Sequence, residues 1–340
     1  MNHNGSLELA KRLVTAAALA GADAVKFQTF KTDELVTADA PKARYQRAAT
    51  GRGGQREMLR GLELGERDFR ALAKLAKEKK IEFLSTPFDE KSADMLDDIG
   101  VPAFKMASGE LTNHPLLRHV AGKGKPMILS TGMSTMDEIS EALEAVRGEG
   151  LESVAILHCV TSYPARHDEL NLTVIPALKK RFGVPVGFSD HSLGTVAAVA
   201  SVALGACIIE KHFTLDTAMD GPDHAASLPA SELGCMVSAI RQAEVSLGDG
   251  RKAPTPSEKG LKRLARRGAV AAGPIRKGAK LGRGMVKFKR PATGIEPREL
   301  ASLIGCIAKR DILVGESLHW KDFERGEANA GRNGQRKRAS

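Results

Sequence analysis

The sequence predicts an α/β fold: a TIM (β/α)8 barrel whose first strand is missing, followed by a small second domain. Short apolar segments alternate with longer helix-patterned segments over residues 24–213, which is typical of a parallel sheet covered on both faces. Each apolar segment ends in polar residues, as barrel strands do where they carry chemistry. After residue 263 the pattern changes to short strand-like pieces separated by Gly and Pro.

The chain opens with a helix and a strand, preceded by the polar turn Asn-His-Asn-Gly at residues 2–5. Ser6 can cap a helix in which Leu9 and Leu13 recur at helical spacing, and Gly21 ends it. The segment AVKFQT then reads as a strand. A turn of this kind normally leaves the end of a strand, and none precedes it. We therefore expect the first barrel strand to be absent, through a misplaced start or real loss.

Apolar segments predict seven strands, at residues 24–29, 81–87, 103–108, 127–132, 154–160, 185–191 and 206–213. Helix-patterned stretches such as ERDFRALAKLAKEKK and MDEISEALEAVRGEG separate them. A closed barrel has eight strands, so one is lacking. A doubly wound open sheet is the structural alternative, and the lack of a G-x-G-x-x-G turn counts against it.

Composition divides the chain into four predicted segments. We predict a barrel over 1–247, a linker over 248–262 rich in Pro, Gly and charge, a small loop-rich domain over 263–325, and a polar, basic, disordered tail over 326–340.

Charge and cysteine content limit the class of protein. The net charge is +10, and residues 251–340 hold 23 Lys and Arg against 8 Asp and Glu. That basic end has three aromatic residues and neither zinc-ligand spacing nor a helix-turn-helix pattern, so an anionic substrate explains it more simply than nucleic acid. Four scattered cysteines and the lack of an 18-residue apolar stretch or signal peptide predict a cytoplasmic protein that does not bind membranes.

Polar side chains at the strand ends are the candidate site. They are Lys26, Gln28, Ser85, Thr86, Lys105, Ser108, Glu110, Ser130, Thr131, Thr161, Ser162, Tyr163, Ser189, Asp190, His191, Glu210, Lys211 and His212. Burying a lysine ammonium group inside an apolar strand costs free energy unless an oppositely charged or hydrogen-bonding group pairs with it. Lysines and hydroxyls that converge on one rim suit a carboxylate and a phosphate.

Two histidines indicate a metal site. His191 and His212 lie 21 residues apart, at corresponding ends of consecutive strands, so in a barrel they are neighbours that could share a divalent ion. Two hydrogen-bonded structural histidines are the alternative. Glu210 could be a ligand or a capping group, and we favour the second. His158 fits a core position, and His224 lies in a loop where it could be functional or exposed.

The chain resembles the sialic acid synthase family, of the N-acetylneuraminate synthase type. The matching motifs run in order along nearly the whole chain: NHNG, GADAVKFQTF, FLSTPFD, FKMASGEL, ILSTGM, LHCVTSYP, GFSDHSLG, IIEKHFTLD, GPDHAASL and KRPATGI. The resemblance implies a TIM barrel followed by a small antifreeze-like (SAF) domain. It also implies a domain-swapped homodimer, in which the small domain of one subunit closes over the barrel of the other.

The activity implied by the resemblance is a condensation. Phosphoenolpyruvate (PEP) joins the open-chain aldehyde of an N-acyl hexosamine, usually N-acetylmannosamine, giving N-acetylneuraminate and phosphate. A close alternative is the same reaction on a bacillosamine-derived sugar, giving legionaminic or pseudaminic acid. A truncated, inactive paralogue or a carbohydrate-binding protein is the non-catalytic alternative.

The resemblance also implies roles for individual residues. PEP is expected to contact Lys26, Thr86, Lys105, Ser108, Ser130, Thr161 and Ser189, with Lys26 and Lys105 also counted as catalytic. The sugar is expected to contact Gln28, Tyr163, Asp223 and, from the partner's small domain, Arg290. His191 and His212 are expected to bind Mn²⁺, with Mg²⁺ or Co²⁺ as alternatives, and Glu110 to activate the water that adds to C2.

Two departures from the family pattern stand out. An AEIG-like strand that carries an active-site glutamate is missing before NHNG, and Thr161 stands where asparagine is usual.

Overall fold

The computed structural model describes residues 1–325. The chain divides into two compact units, the first spanning Met1–Asp249 and the second beginning at Gly250. The predicted disordered tail, 326–340, lies outside the described residues, so disorder there stays a prediction.

A curled parallel sheet forms the centre of the first unit. Its strands are β1 (Ala24–Thr29), β2 (Glu82–Pro87), β3 (Phe104–Met106), β4 (Met127–Ser130), β5 (Val154–Cys159), β6 (Val186–Asp190) and β7 (Ile209–Lys211). Strand β1 pairs with β2, and β3 to β7 pair in sequence order, all in parallel. The predicted α/β class and the seven strand positions are confirmed. Since all the strands are parallel, their carboxyl ends lie at one edge.

Helices connect these strands, and the longer ones cover the outside of the sheet. They are α1 (Leu7–Leu19), α2 (Thr32–Leu35), α3 (Arg44–Thr50), α4 (Gln55–Arg60), α5 (Glu66–Lys79), α6 (Glu90–Ile99), α7 (His114–Ala121), α8 (Met136–Arg147), α9 (Val174–Phe182), α10 (Val196–Ala203) and α11 (Ala230–Leu247). Local sequence sets several of their ends. The Ser6 hydroxyl accepts a hydrogen bond from the Leu9 N–H, and the Asp89 carboxylate caps α6 in the same way. Helix α6 ends at Gly100, which has φ +86°.

Apolar strand side chains fill the core between sheet and helices. Phe104, Leu129, Ile156 and Phe188, on four successive strands, have no exposed surface. Each contributes about 1.5–3 kcal/mol by leaving water. This burial fixes which side chains point to the core, and therefore where the polar strand ends emerge.

Residues 30–65, here called the β1–β2 segment, carry the three short helices α2, α3 and α4. Phe30, Leu59 and Leu62 form a small buried cluster of their own, against which Leu35 and Phe88 pack. The segment thus adds a second apolar patch beside the carboxyl end of β1.

A cavity of about 430 Å³ separates β7 from β1. Both strands line it, and within residues 1–325 no strand lies between them, in agreement with the prediction of seven strands. Two short strands, β8 (Phe213–Thr214) and β9 (Leu228–Pro229), follow β7 and pair with each other.

The second unit contains α12 (Pro256–Ala265), β10 (Gly268–Ala271), β11 (Val286–Lys289), α13 (Leu300–Leu303), β12 (Ile307–Ala308) and β13 (Phe323–Glu324). Strand β10 pairs antiparallel with β11, and β12 with β13. Helix α12 begins inside the predicted linker, capped by Thr255 and Glu258. Over residues 1–325, no helix combines the length and the apolar character needed to cross a bilayer.

Candidate active site

Two lysines and a glutamate meet at the carboxyl ends of three strands. Lys105 is 3% exposed, and its ammonium donates to the Ser130 hydroxyl at 2.7 Å and to the Met106 carbonyl at 2.9 Å. The Glu210 carboxylate lies 3.6 Å from Nζ of Lys105 and 4.0 Å from Nζ of Lys26. The structure therefore brings both predicted lysines together around one carboxylate.

Charge and burial compete in this cluster. Burial by itself would raise the pKa of Glu210, but the ammonium groups of Lys105 and Lys26 outweigh it and lower the pKa to about 2. Burial and, secondarily, the charge of Lys26 lower the pKa of Lys105, against the attraction of Glu210. Two lysine side chains thus face a single ionised carboxylate, and cationic groups in excess of anionic ones favour an anion at this rim.

Hydroxyl groups surround the lysines. Thr86 Oγ1 accepts from Nζ of Lys26 at 3.5 Å, and the Ser189 hydroxyl donates to Glu210 Oε1 at 2.9 Å. The Gly132 N–H donates to Ser108 Oγ at 3.0 Å. A Cβ at position 132 would collide with Thr161 Oγ1 and Ser108 Oγ, so only glycine allows these two hydroxyls to converge there.

The two predicted metal-binding histidines are neighbours. The ring centroids of His191 and His212 are 5.3 Å apart. Nδ1 of His191 lies 2.9 Å from the Val160 carbonyl, which can only accept, so Nδ1 carries the proton and Nε2 presents a lone pair. The Tyr163 hydroxyl lies 3.2 Å from that Nε2. The His212 ring faces the cavities, and within residues 1–325 its nitrogens have no hydrogen-bond partner.

These imidazoles fit a divalent cation as two of its ligands. Burial lowers the pKa of His191, and burial together with the charges of His191 and Lys26 lowers that of His212 well below its usual range. Both rings are therefore neutral donors at neutral pH. Among the residues that the structure describes, no group of three or more His, Cys, Asp or Glu side chains is arranged to hold a metal ion. Water or substrate oxygens would have to complete the coordination, as at an open catalytic site.

A buried ion pair positions the loop that carries His191. Nζ of Lys211 lies 2.7 Å from the Asp190 carboxylate, and both side chains are almost fully buried. Asp190 also accepts from the backbone N–H and the hydroxyl of Ser192. The residues on either side of His191 are thus fixed by charge-assisted hydrogen bonds.

Aromatic rings extend the site away from the lysines. Tyr163 stacks on His191 with centroids 4.2 Å apart, and Tyr45 stacks on the other side of Tyr163 at 5.2 Å. Burial raises the pKa of Tyr45 to about 12. The two tyrosines border a second cavity of about 260 Å³, lined also by Gln28, His212 and Asp223.

The N-terminal turn holds the loop that carries Asp223. The Asn2 amide donates to the Phe213 carbonyl at 2.7 Å and to Ser227 Oγ at 2.8 Å. The Asn4 amide donates to the Asp220 carbonyl at 2.7 Å, and its oxygen lies 3.1 Å from Nε2 of His224. Buried Asp223 has a raised pKa. The motif Asn-His-Asn-Gly therefore has a structural role, since it holds the loop that carries Asp223 in place.

Two predicted residues are not joined to this cluster. Glu110 lies on the turn after β3, where its carboxylate accepts from the Asn113 amide at 2.8 Å. Among the described residues, no bond links Glu110 to the lysines or histidines. Arg290 is exposed in the second unit. The roles given to both residues stay predictions.

Sequence reasoning missed the part that Glu210 plays between the lysines, and it missed Gly132 and Tyr45 altogether. A signal for Glu210 existed, since alternation along β7 places residue 210 on the same side as His212. Tyr45 gave no comparable signal, because it reaches the site only through the fold of the β1–β2 segment.

Comparisons with known proteins agree with this architecture. The NeuB family model matches residues 13–252, and the SAF domain model matches residues 266–324. The N,N'-diacetyllegionaminic acid synthase of Legionella pneumophila is 44% identical over 329 residues, covering 95% of this chain and 92% of that protein. The human N-acetylneuraminate-9-phosphate synthase is 34% identical over 307 residues, covering 89% of this chain and 85% of that protein.

A solved structure is also similar. The N-acetylneuraminic acid synthetase of Leptospira borgpetersenii, crystallised in complex with citrate, matches with a TM-score of 0.69 and 35% identity. The match covers 76% of this chain and 86% of that one.

Proposed function

The chain belongs to the NeuB family, and on that premise we propose that it condenses PEP with a bacillosamine-derived sugar that carries two acetamido groups. The products are an N,N'-diacetyllegionaminate-type nine-carbon 2-keto acid and inorganic phosphate. N-Acetylmannosamine, the acceptor first expected from the resemblance, has less support. The diacetyllegionaminic acid synthase is 44% identical to this chain, and the human N-acetylneuraminate-9-phosphate synthase is 34% identical.

The observation that carries the proposal is the position of the lysine cluster. Lys26 and Lys105 lie around Glu210 at the same edge of the sheet as the imidazole pair, and His212, Lys26 and Lys105 line one cavity. PEP carries a carboxylate and a phosphate, which ammonium and hydroxyl groups bind through charge-assisted hydrogen bonds. An aldehyde acceptor then has room on the tyrosine side, against Gln28 and Asp223.

Each group of residues has a chemical task in this proposal. Lys26, Lys105 and the hydroxyls of Ser108, Ser130 and Ser189 hold PEP with C3 of its enol directed at the acceptor carbonyl carbon. The π electrons of C2=C3 form the new C–C bond while the π pair of the aldehyde moves onto its oxygen, which takes up a proton and becomes a hydroxyl, and water adds to the electron-deficient C2. Glu110 takes the proton from that water. The hydroxyl now on C2 gives its proton to the departing phosphate and becomes the keto group as the C2–O bond to phosphate breaks, and the lysines offset the charge of the departing phosphate.

A divalent ion, Mn²⁺ in the first instance and Mg²⁺ or Co²⁺ as alternatives, would act as a Lewis acid on the aldehyde oxygen when bound by Nε2 of His191 and by His212. The chain's own contribution is to keep both imidazoles neutral by burial. The carbonyl of Val160 directs the lone pair of His191 outward.

We also propose that the protein acts as a homodimer in which Arg290 of one subunit's small domain contacts the N-acyl group bound in the other subunit's barrel. Support comes from the resemblance to the family and from the exposed, unpaired guanidinium of Arg290 among the described residues.

A two-substrate assay tests the function. The full chain is incubated with PEP, Mn²⁺ and either 2,4-diacetamido-2,4,6-trideoxymannose or N-acetylmannosamine, and phosphate release and product mass are measured. We expect phosphate release that needs an acceptor, and a keto acid with the mass of the diacetamido sugar plus pyruvate. Lys105→Met protein serves as the inactive control. Absence of release with both sugars would contradict the proposal.

A further inference from the structure

We propose that the 260 Å³ cavity under the β1–β2 segment receives one acylamino group of the acceptor sugar, and that it selects sugars carrying two such groups over sugars carrying one. This inference rests on the proposed function, since its occupant is part of the acceptor.

Position is the first argument. The cavity is lined by His212 itself, by Tyr163, whose ring contacts both imidazoles, and by Gln28 and Asp223. Its remaining wall comes from the β1–β2 segment, Phe88 and Met1. A sugar whose aldehyde lies at the imidazoles therefore directs its distant substituents towards this wall.

The second argument is the chemistry of that wall. Phe30, Leu35, Val36, Leu59 and Phe88 line it, and all five belong to one apolar cluster. The Phe30 and Phe88 rings pack edge to face with centroids 6.2 Å apart. A sugar hydroxyl placed against these side chains would lose its hydrogen bonds to water and gain none from the apolar wall. A methyl group gains free energy there, since apolar surface leaves water on both sides.

The third argument is a pair of uncommitted amides. The side-chain amides of Gln28 and Gln55 line the same cavity, and within residues 1–325 neither makes a hydrogen bond. By contrast, Gln46 is committed to the Ala43 N–H and the Tyr45 hydroxyl. An acylamino group offers one N–H and one carbonyl, which a primary amide pairs with directly.

Together these features match an acetamido group: a methyl for the apolar wall and an amide for the glutamines. A hydroxyl at the same carbon of the sugar offers the wall no methyl group, and it pairs with a glutamine amide through one oxygen instead of through a separate N–H and carbonyl. One buried methyl and one hydrogen bond correspond to a preference of about tenfold to fiftyfold in kcat/KM.

Two variants test the pocket, each with a matched control outside it. Val36→Thr replaces a methyl of the wall with a hydroxyl, and Gln55→Leu removes a free amide while nearly keeping its size. Val245→Thr and Gln242→Leu make the same replacements at exposed positions of α11, where the Gln242 amide donates to Ser238 Oγ. For each protein, kcat/KM is measured with 2,4-diacetamido-2,4,6-trideoxymannose and with N-acetylmannosamine, together with KM for PEP.

We expect the wild-type chain to prefer the diacetamido sugar, and each pocket variant to lower that preference about fivefold. KM for PEP should stay within twofold, and the controls should match wild type. A wild-type preference for N-acetylmannosamine, or an unchanged preference in both pocket variants, overturns the inference while the condensation itself stands. Absence of turnover with either sugar removes the proposed function and this inference with it. If Val36→Thr fails to fold, Gln55→Leu decides alone, because its side chain lies on the partly exposed α4.

Discussion

Replacing Lys105 and Glu210 separately and together tests whether the ion pair organises the site. Their charged atoms lie 3.6 Å apart, which corresponds to about 5 kcal/mol of attraction at an effective dielectric constant of 20. Losing one member of a buried pair costs about 3–5 kcal/mol, because the other charge is left uncompensated. Here Lys26 remains 4.0 Å from Glu210 and offsets part of the loss. We therefore expect Lys105→Met and Glu210→Gln each to lower the free energy of unfolding by about 3 kcal/mol.

The double variant distinguishes pairing from independent effects. If the two charges interact, Lys105→Met/Glu210→Gln loses about 3 kcal/mol in total, instead of the roughly 6 kcal/mol expected from addition. The assay is urea unfolding at pH 7.5 followed by far-ultraviolet circular dichroism. Phosphate release should fall at least a hundredfold in both variants that lack Lys105, because the ammonium group that binds PEP is gone whether or not stability is partly regained. Losses that add to within about 0.5 kcal/mol would refute the reasoning.

Three further predictions follow from the site. His191→Ala and His212→Ala should each abolish Mn²⁺ binding by calorimetry and turnover, with unchanged circular dichroism; Mn²⁺ binding that survives in both would exclude the proposed metal site. Asn4→Ala removes the contacts to His224 and the Asp220 carbonyl, so it should raise KM for the acceptor about tenfold and leave KM for PEP unchanged; an equal rise in both would contradict a local effect. Burial lowers the pKa of His3 from 6.5 to about 3, so protonation favours the unfolded chain and stability falls as the pH drops below about 6.5. At pH 5 this loss is about 2 kcal/mol relative to pH 8, and His3→Phe should remove it in urea titrations at the two pH values; an identical loss in the variant would refute it.

Much of the fold was predictable because its strands are buried on both faces. Most strands are short, largely apolar segments that end in polar residues, so their position and direction could be deduced from the sequence. The same logic placed Lys26, Lys105, His191 and His212 at one edge.

The features that the sequence did not predict depend on contacts between residues far apart in the chain. Glu210 gains its role from lysines on two other strands, and no local pattern encodes that pairing. The β1–β2 segment has helices of four to seven residues, too short to show helical periodicity. Helix α12 did carry a signal, because Thr255 and Glu258 form a capping box with Pro256 at the first helical position. The Pro-rich composition of the surrounding residues obscured it.

The fate of the bridging oxygen of PEP tests the central claim most directly. PEP labelled with ¹⁸O between C2 and phosphorus is turned over with 2,4-diacetamido-2,4,6-trideoxymannose, and the released phosphate is examined by ³¹P nuclear magnetic resonance. If the strand-end lysines and hydroxyls hold PEP for water attack at C2, all of the label leaves with phosphate. Label retained in the keto group of the product would mean that water attacks phosphorus, and it would contradict the account.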